Sequence, residues 1–203
     1  RFMVDLNRSP DKAVYLTPED AWGLPVRTQA VPNDMLSELR NDYHEWYSIL
    51  HYQICRLLES HPFITVLDLH SYNHRRNGPD AEYDSPAMNP DIILGRNNMP
   101  EKYYNLIDDL RQRLDQREYF GRPLDVRCDV KFTGGYLSRW LHHNFPDQVI
   151  CIAIEFKKIF MNEWTGRLNP VSFIHISNEF VKAVMDWQLL LQKDIMQVIE
   201  TNK

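Results

Sequence analysis

Residues 63–74 read Phe-Ile-Thr-Val-Leu-Asp-Leu-His-Ser-Tyr-Asn-His (FITVLDLHSYNH), and the chain stays polar from His70 through Asp80 (HSYNHRRNGPD). Phe63 to Leu69 is a short apolar run rich in β-branched residues that starts directly after Pro62. It is too short for a buried helix and suits a buried strand. Its carboxyl end opens on a histidine-bearing loop, the edge at which open α/β sheets place their ligands. The flanking segments agree with this reading. Upstream, Leu36, Leu39, Tyr43, Tyr47, Leu50, Ile54 and Leu57 recur at the three-and-four spacing of one buried helical face. That helix is predicted to start at Asn33 as N-cap and to close at His61-Pro62, because the residue before proline disfavours the α region. Downstream, short strands are predicted over 91–94, 124–132 and 148–156 (QVICIAIEF). Helices are predicted over 101–117, 135–144 and 172–199. The last helix has Phe180, Val184, Trp187, Leu191, Ile195 and Val198 on one stripe. Strands alternating with helices indicate an α/β architecture with a largely parallel sheet.

The beginning of the chain differs from the rest. In RFMVDLNR (1–8), Phe2, Val4 and Leu6 alternate with Met3, Asp5 and Asn7, the period of a strand already under way at Arg1. Residues 9–32 hold four prolines and read as a long loop. Composition narrows the function classes. At 203 residues, 43% hydrophobic and 25% charged, the chain is of the globular class and of single-domain size. A net charge of −5 lacks the basic field that nucleic acid requires. No apolar run reaches the roughly 18–20 residues that cross a bilayer. Three scattered cysteines without a CxxC pair fit neither a disulfide framework nor a cysteine zinc site, and suit a reducing cytoplasm.

Four constellations carry chemistry. His70 ends a strand, where neutral imidazole can bind zinc. Asp68, two residues earlier on the same face, can orient a ring nitrogen. Read alone, His70 fits a histidine satisfied by a loop carbonyl better than a ligand. Asn7 and Arg8, in VDLNR (4–8), offer an amide and a guanidinium fork suited to a carboxylate, or else a surface arginine beside a turn. Glu155, in CIAIEFKK (151–158), lies where an apolar strand turns charged. A partly desolvated carboxylate there would have a raised pKa useful to a general base, unless Lys157 or Lys158 pairs with it. Gly134-Gly135, in FTGGYLSRW (132–140), permits positive φ or close approach, with Tyr136 or Arg139 able to reach across a cleft; alone it reads rather as a helix N-terminus with a flexible entry. His142-His143 reads as a solvated helix face. No phosphate loop, GxGxxG, GxSxG, HExxH or HxxE is present.

Taken in order, these segments resemble the zinc carboxypeptidase-like amidohydrolases, and among them the N-formylglutamate amidohydrolase family. RFMVDLNRSPD, Asp68-Leu69-His70-Ser71, Asn89-Pro90-Asp91 through Gly95, Phe132 to Arg139, Ile154-Glu155 and Met161-Asn162-Glu163 carry the resemblance over about the whole chain. It implies a three-layer α/β/α domain around a mixed, largely parallel sheet, and a zinc-dependent hydrolase of linear amides with N-formylglutamate as type substrate. By the same resemblance, His70 is a zinc ligand and Glu155 the general base. Asn7 and Arg8, with Arg1, hold the substrate carboxylate, and Tyr136 or Arg139 closes over it. The implied partner is a small carboxylate-bearing amide, with neither nucleic acid nor membrane.

Two departures stand out. Relatives supply a further histidine and usually a glutamate from an earlier loop, so a segment upstream of Arg1 is expected to carry those ligands. Ser48 stands where relatives have a histidine, with His51 one turn on. The alternative is a metal-free domain that keeps the fold and binds carboxylates or proteins without catalysis. Oligomeric state is not legible, because the stripe of the last helix suits its own sheet or a partner equally.

Overall fold

Residues 149–157 are the most apolar strand of the chain, and in the structure the first six of them are buried. A run with both faces covered has no polar side and sits inside a sheet. The structure, a computed structural model, describes residues 3–21 and 23–201, with side chains as far as Leu191; Arg1, Phe2 and Trp22 lie outside these residues. The main elements are α1 (Asn33–Leu58), β1 (Ile64–Tyr72), β2 (Ile92–Gly95), α2 (Tyr104–Asp115), β3 (Glu118–Tyr119), β4 (Arg122–Pro123), β5 (Val126–Cys128), α3 (Tyr136–Asn144), β6 (Val149–Lys157) and α4 (Pro170–Thr201).

The sheet has four strands in the order β1-β6-β2-β5. β2 runs parallel to β5 and antiparallel to β6, with Ile93 opposite Glu155. Ile64 N–H bonds Gln148 C=O at one end of the β1–β6 ladder, and Lys158 N–H bonds Tyr72 C=O at the other, so these two strands are also parallel. The result is an α/β fold with a mixed, mostly parallel sheet flanked by helices, as the alternation of elements predicted. A separate two-residue hairpin joins β3 to β4. The strand predicted over 124–132 is only three residues long, because Asp129 takes a positive φ of 54° and turns the chain away.

Two compact units divide the chain: residues 1–66 with 135–151, and residues 67–134 with 152–203. In the first, α1 and α3 bury Ile54, Leu141 and Phe145 against Val149 and Cys151 at the start of β6. Asn33 is the first helical residue rather than the cap. The cap is Pro32, without a side-chain hydrogen bond. His142 is not a solvated residue: its Nε2 accepts the Cys151 N–H at 2.9 Å, so adjacent His142 and His143 separate into an inward and an outward side chain.

The expected opening strand is absent over Met3–Arg8, where the chain bends and turns. Local side-chain bonds win over the alternating pattern. Asp5 accepts the Asn7 N–H at 3.0 Å and the Tyr15 hydroxyl, while its own N–H bonds Ala13 C=O. Tyr47 and Tyr43 of α1 donate their hydroxyls to Leu6 C=O and Arg8 C=O, each at 2.7 Å. The loop is therefore held by side chains instead of a ladder.

In the second unit α4 lies against α2, with Trp187 buried and its indole N–H on Leu106 C=O at 2.7 Å. Phe180, Val184 and Leu191 share that buried stripe as expected; Ile195 and Val198 fall outside the described side chains. Val171, Ile174, Val181, Met185 and Leu189 of the same helix remain exposed. The polar anchor of the unit is Asp91, 1% exposed, just before β2. It accepts Arg122 at 2.5 and 3.0 Å, Lys157 Nζ at 2.8 Å and Asp125 N–H at 3.1 Å. Burial alone would raise its pKa; the bonds from Arg122, Lys157 and Asp125 outweigh that and hold the carboxyl below the usual range.

Removing a carboxylate that pairs two cations leaves them uncompensated. Because Arg122 is half-exposed, Asp91→Ala should destabilise by about 3 kcal/mol, at the low end of buried-pair losses, read from urea unfolding. A depressed folded pKa contributes stability above the unfolded value of about 4, and that contribution disappears as pH falls through the folded value. Wild-type stability should therefore fall more steeply than that of Asp91→Ala when pH drops below about 4.

Candidate active site

β1 and β6 run in the same direction, so their carboxyl ends share one edge of the sheet, and there each strand gives up its apolar character. On β1, Asp68 and His70 point to one side, and His70 Nε2 lies 2.7 Å from Asp68 Oδ1. This is the partner the two-residue spacing anticipated, and it fixes the orientation of the ring. On β6, buried Ile154 gives way to Glu155, which is half-buried. Burial raises the Glu155 pKa above the ordinary glutamate value; His70 pulls it back down, Asp68 pushes it up, and Lys158 and Arg76 pull it down. The second unit thus brings His70, Asp68 and Glu155 into one electrostatic neighbourhood. A carboxylate so placed can accept a proton from water near neutral pH, which an exposed glutamate does poorly.

The metal-ligand set is partial. Among the described residues, no three His, Cys, Asp or Glu side chains are grouped so as to hold a metal ion. His70 with Asp68 is a two-donor fragment, whereas a catalytic zinc takes about three protein ligands and a water. These residues do not by themselves complete a zinc site. Within the first unit the His51 ring packs 5.0 Å from Phe145, with Nδ1 3.5 Å from Cys55 Sγ, and Ser48 bonds the His44 carbonyl on its own helix.

The first unit brings together Asn7, Arg8 and Tyr136. Gly134 has φ of 118°, and Gly135 lies tight against Asn7: a Cβ on Gly135 would stand 2.1 Å from Asn7 Oδ1. The glycine pair serves this close approach. Asn7 C=O accepts Tyr136 N–H at 3.2 Å, and Asn7 Oδ1 accepts Leu137 N–H at 3.0 Å. Asn7 therefore caps α3 from 130 positions away in sequence, work its spacing in VDLNR did not announce. Arg8 is oriented by Asp20 C=O at 2.9 Å, by Asp5 at 3.6 Å and by the Tyr15 ring 4.6 Å beneath its guanidinium. Tyr136 is half-buried, 5.8 Å from the Tyr47 ring, while Arg139 is exposed with its guanidinium 5.9 Å from the Tyr136 ring. Arg1 lies outside the described residues.

Several contacts could not be read from any local pattern in the sequence, the family resemblance of Glu163 notwithstanding. Glu163, 89 positions from His74, accepts the backbone N–H groups of His74 and Arg75 at 2.9 and 2.5 Å. Arg75 and Lys158 look like ordinary surface charges until the fold sets them beside one cleft.

The sequence profile of the N-formylglutamate amidohydrolase family matches residues 1–161. The chain belongs to the N-formylglutamate amidohydrolase family. That membership implies an amidohydrolase, an enzyme acting on a carbon–nitrogen bond. The fold is similar to the crystal structure of N-formylglutamate amidohydrolase from Ralstonia eutropha JMP134. The TM-score is 0.68 at 14% identity, over 94% of this chain and 74% of that one. It is also similar to a gene product of Agrobacterium tumefaciens, with a TM-score of 0.50 and 17% identity, over 93% of this chain and 69% of that one. At these identities the likeness is one of fold. No curated protein sequence matches the chain. Among the described residues, no helix is long and apolar enough to cross a membrane.

Gly135→Ala should expel the Asn7 side chain from the α3 terminus and cost at least the roughly 1 kcal/mol of a lost cap, with Asn7→Ala near that value. Thermal melting of both variants checks the order, Gly135→Ala being the less stable.

Proposed function

We propose that this chain is a zinc-dependent hydrolase that cleaves the linear amide of an N-formyl or N-acyl amino acid, with N-formyl-L-glutamate as the first substrate to test. The observation that supports this most is the pairing of Glu155, its pKa raised by burial, with the Asp68–His70 unit at the carboxyl edge of two parallel strands. Membership of the family adds the reaction class. In this reading His70 is a ligand held in place by Asp68, and the remaining ligands come from outside the described residues. Zinc, when bound, supplies a lowered pKa for its water and polarisation of the amide carbonyl.

Glu155 takes the proton from the attacking water. It then delivers that proton to the departing amine nitrogen, so formate and the free amino acid leave in balance. Burial raises the Glu155 pKa, which makes its carboxylate a stronger base than an ordinary exposed glutamate. Asn7 and Arg8, with Arg1, bind the substrate carboxylate. Arg8 suits this because its fork is already oriented, which lowers the entropy lost on binding. Tyr136 or Arg139 closes over the bound ligand. The three cysteines are free thiols, in keeping with a reducing cytoplasm as the place of action.

A metal-free carboxylate-binding domain is the second reading, favoured by the incomplete donor set. One experiment separates the two. Purified protein is assayed for formate release from N-formyl-L-glutamate and for zinc by elemental analysis. The hydrolase reading expects about one zinc per chain and turnover, with kcat reduced about 100- to 10,000-fold in Glu155→Gln while zinc is retained. It also expects zinc lost in His70→Ala. Protein that holds no zinc and releases no formate, or a Glu155→Gln variant as fast as wild type, overturns it.

A further inference from the structure

Up to Leu191, α4 carries two apolar faces, and its own unit covers one of them. Ile176, Phe180, Ala183, Val184, Trp187 and Leu191 are buried on the inner face. On the outer face Val171, Ile174, Val181, Met185 and Leu189 are each more than half exposed. At about 3.6 residues per turn these five side chains leave the helix within an arc of about 80°, opposite the inner face. They follow one another at three, seven, four and four positions, along a line about 27 Å long. Singly scattered surface hydrophobics need no explanation, but a row at helical spacing does. The seven-residue step holds exposed Asn178 at its middle.

The outer face reads alike from both ends. Val171 and Leu189 stand nine positions either side of Phe180, and Ile174 and Met185 stand six and five from it. Glu179 and Lys182, on one flank of the row, stand one and two from it. Within the chain Lys182 Nζ donates to Glu179 Oε1 at 2.6 Å, and the lysine side chain is 60% exposed. Asp186, further along that flank, is held by Arg117. Such a face is complementary to itself when two copies lie antiparallel. Valine then meets leucine and isoleucine meets methionine. The Glu179–Lys182 pair of each copy lies beside that of the other with its signs crossed. In a parallel pairing this match is lost, because Lys182 would face Ser177 instead. Asn178, a polar residue within the apolar row, disfavours shifted registers.

We infer that the outer face of α4 is an interface on which a second copy of this chain docks antiparallel, about a two-fold axis beside Phe180. A two-fold axis is the symmetry that sets one face against itself, so every contact is made twice. The apolar row supplies the attraction, and the crossed Glu179 and Lys182 charges fix the direction. One helix pair buries less than a standard interface of roughly 1,600 Å², so the dimer is a reversible one. The inference does not rest on the hydrolase reading and stands or falls apart from it.

Sedimentation velocity of the whole chain over about 1–300 μM should show a monomer–dimer equilibrium, the range that suits an interface of this size. Val181→Glu sets two carboxylates against each other near the axis and should abolish the dimer. Circular dichroism melting confirms that each variant is folded, and Met185→Glu replaces Val181→Glu if that one is not. Mixing tests the direction. Lys182→Glu and Glu179→Lys should each raise the dissociation constant about tenfold or more alone, and the two mixed should pair to within about threefold of wild type. Crossed charges re-form only between unlike copies, so a change within one chain cannot imitate this rescue. Should Glu179→Lys not fold, Lys182→Glu weakening the dimer at least about threefold more than Lys182→Gln takes its place. A chain that stays monomeric throughout, or a dimer indifferent to the glutamate substitution in the row, overturns the interface. A dimer that Lys182→Glu leaves unchanged, or that mixing does not rescue, overturns the antiparallel docking.

Discussion

Asp91 is the interaction on which much of the second unit depends. A carboxylate almost wholly out of water sits where β2 begins and ties in the β3–β4 hairpin through Arg122, the approach to β5 through the Asp125 amide, and the end of β6 through Lys157. Its burial would be prohibitive alone. With two cations and a backbone donor it becomes a fixed point that relates three strands. The consequence for chemistry comes through Lys157. With that side chain committed to Asp91, Glu155 keeps a pKa raised by burial, against the downward pull of His70 and Lys158.

β1 and β6 follow one rule: the apolar run ends, and ionisable side chains collect at the end. β6 is buried from Val149 through Ile154 and then presents glutamate, phenylalanine and two lysines in succession. β1 is apolar to Leu67 and then alternates charged and exposed positions through Tyr72. At that boundary the dielectric changes over a few ångströms, and ionisable groups there respond to burial and to each other more than they would in water. The Asp68–His70 contact and the shift at Glu155 are both products of that boundary.

In the first unit the same economy is achieved with hydroxyls and amides. Tyr43 and Tyr47, on the face of α1 that the periodicity marked as buried, are not simply core. Their rings pack while their hydroxyls hold the carbonyls of Leu6 and Arg8. Burial pushes the Tyr43 pKa up to about 12, with the neighbouring Tyr47 hydroxyl pulling against it, so it stays a donor throughout the neutral range. Asn7 and Gly135 complete the arrangement, one as acceptor for α3 and the other as the space that acceptor needs. Side chains read as substrate ligands are thus also structural ones, which is why they occur together.

Sequence alone determined the element order, the buried faces of α1 and α4, the central place of β6 and the strand-end positions of His70 and Glu155. These depend on periodicity and on local polarity, which are properties of neighbours along the chain. It also carried the order of motifs that marks the family. It misjudged Met3–Arg8, where alternation suggested a strand, because hydrogen bonds from Asp5, Tyr43 and Tyr47 replace the ladder. It misjudged His142 for want of knowing that the Cys151 amide would face it. The Asn7 cap, the Glu163 clamp and the Lys158–Asn73 bond were decided only by tertiary structure. Each joins residues 85 to 130 positions apart. Pairing at such separations is set by how strands and helices pack in three dimensions, and no local pattern records it.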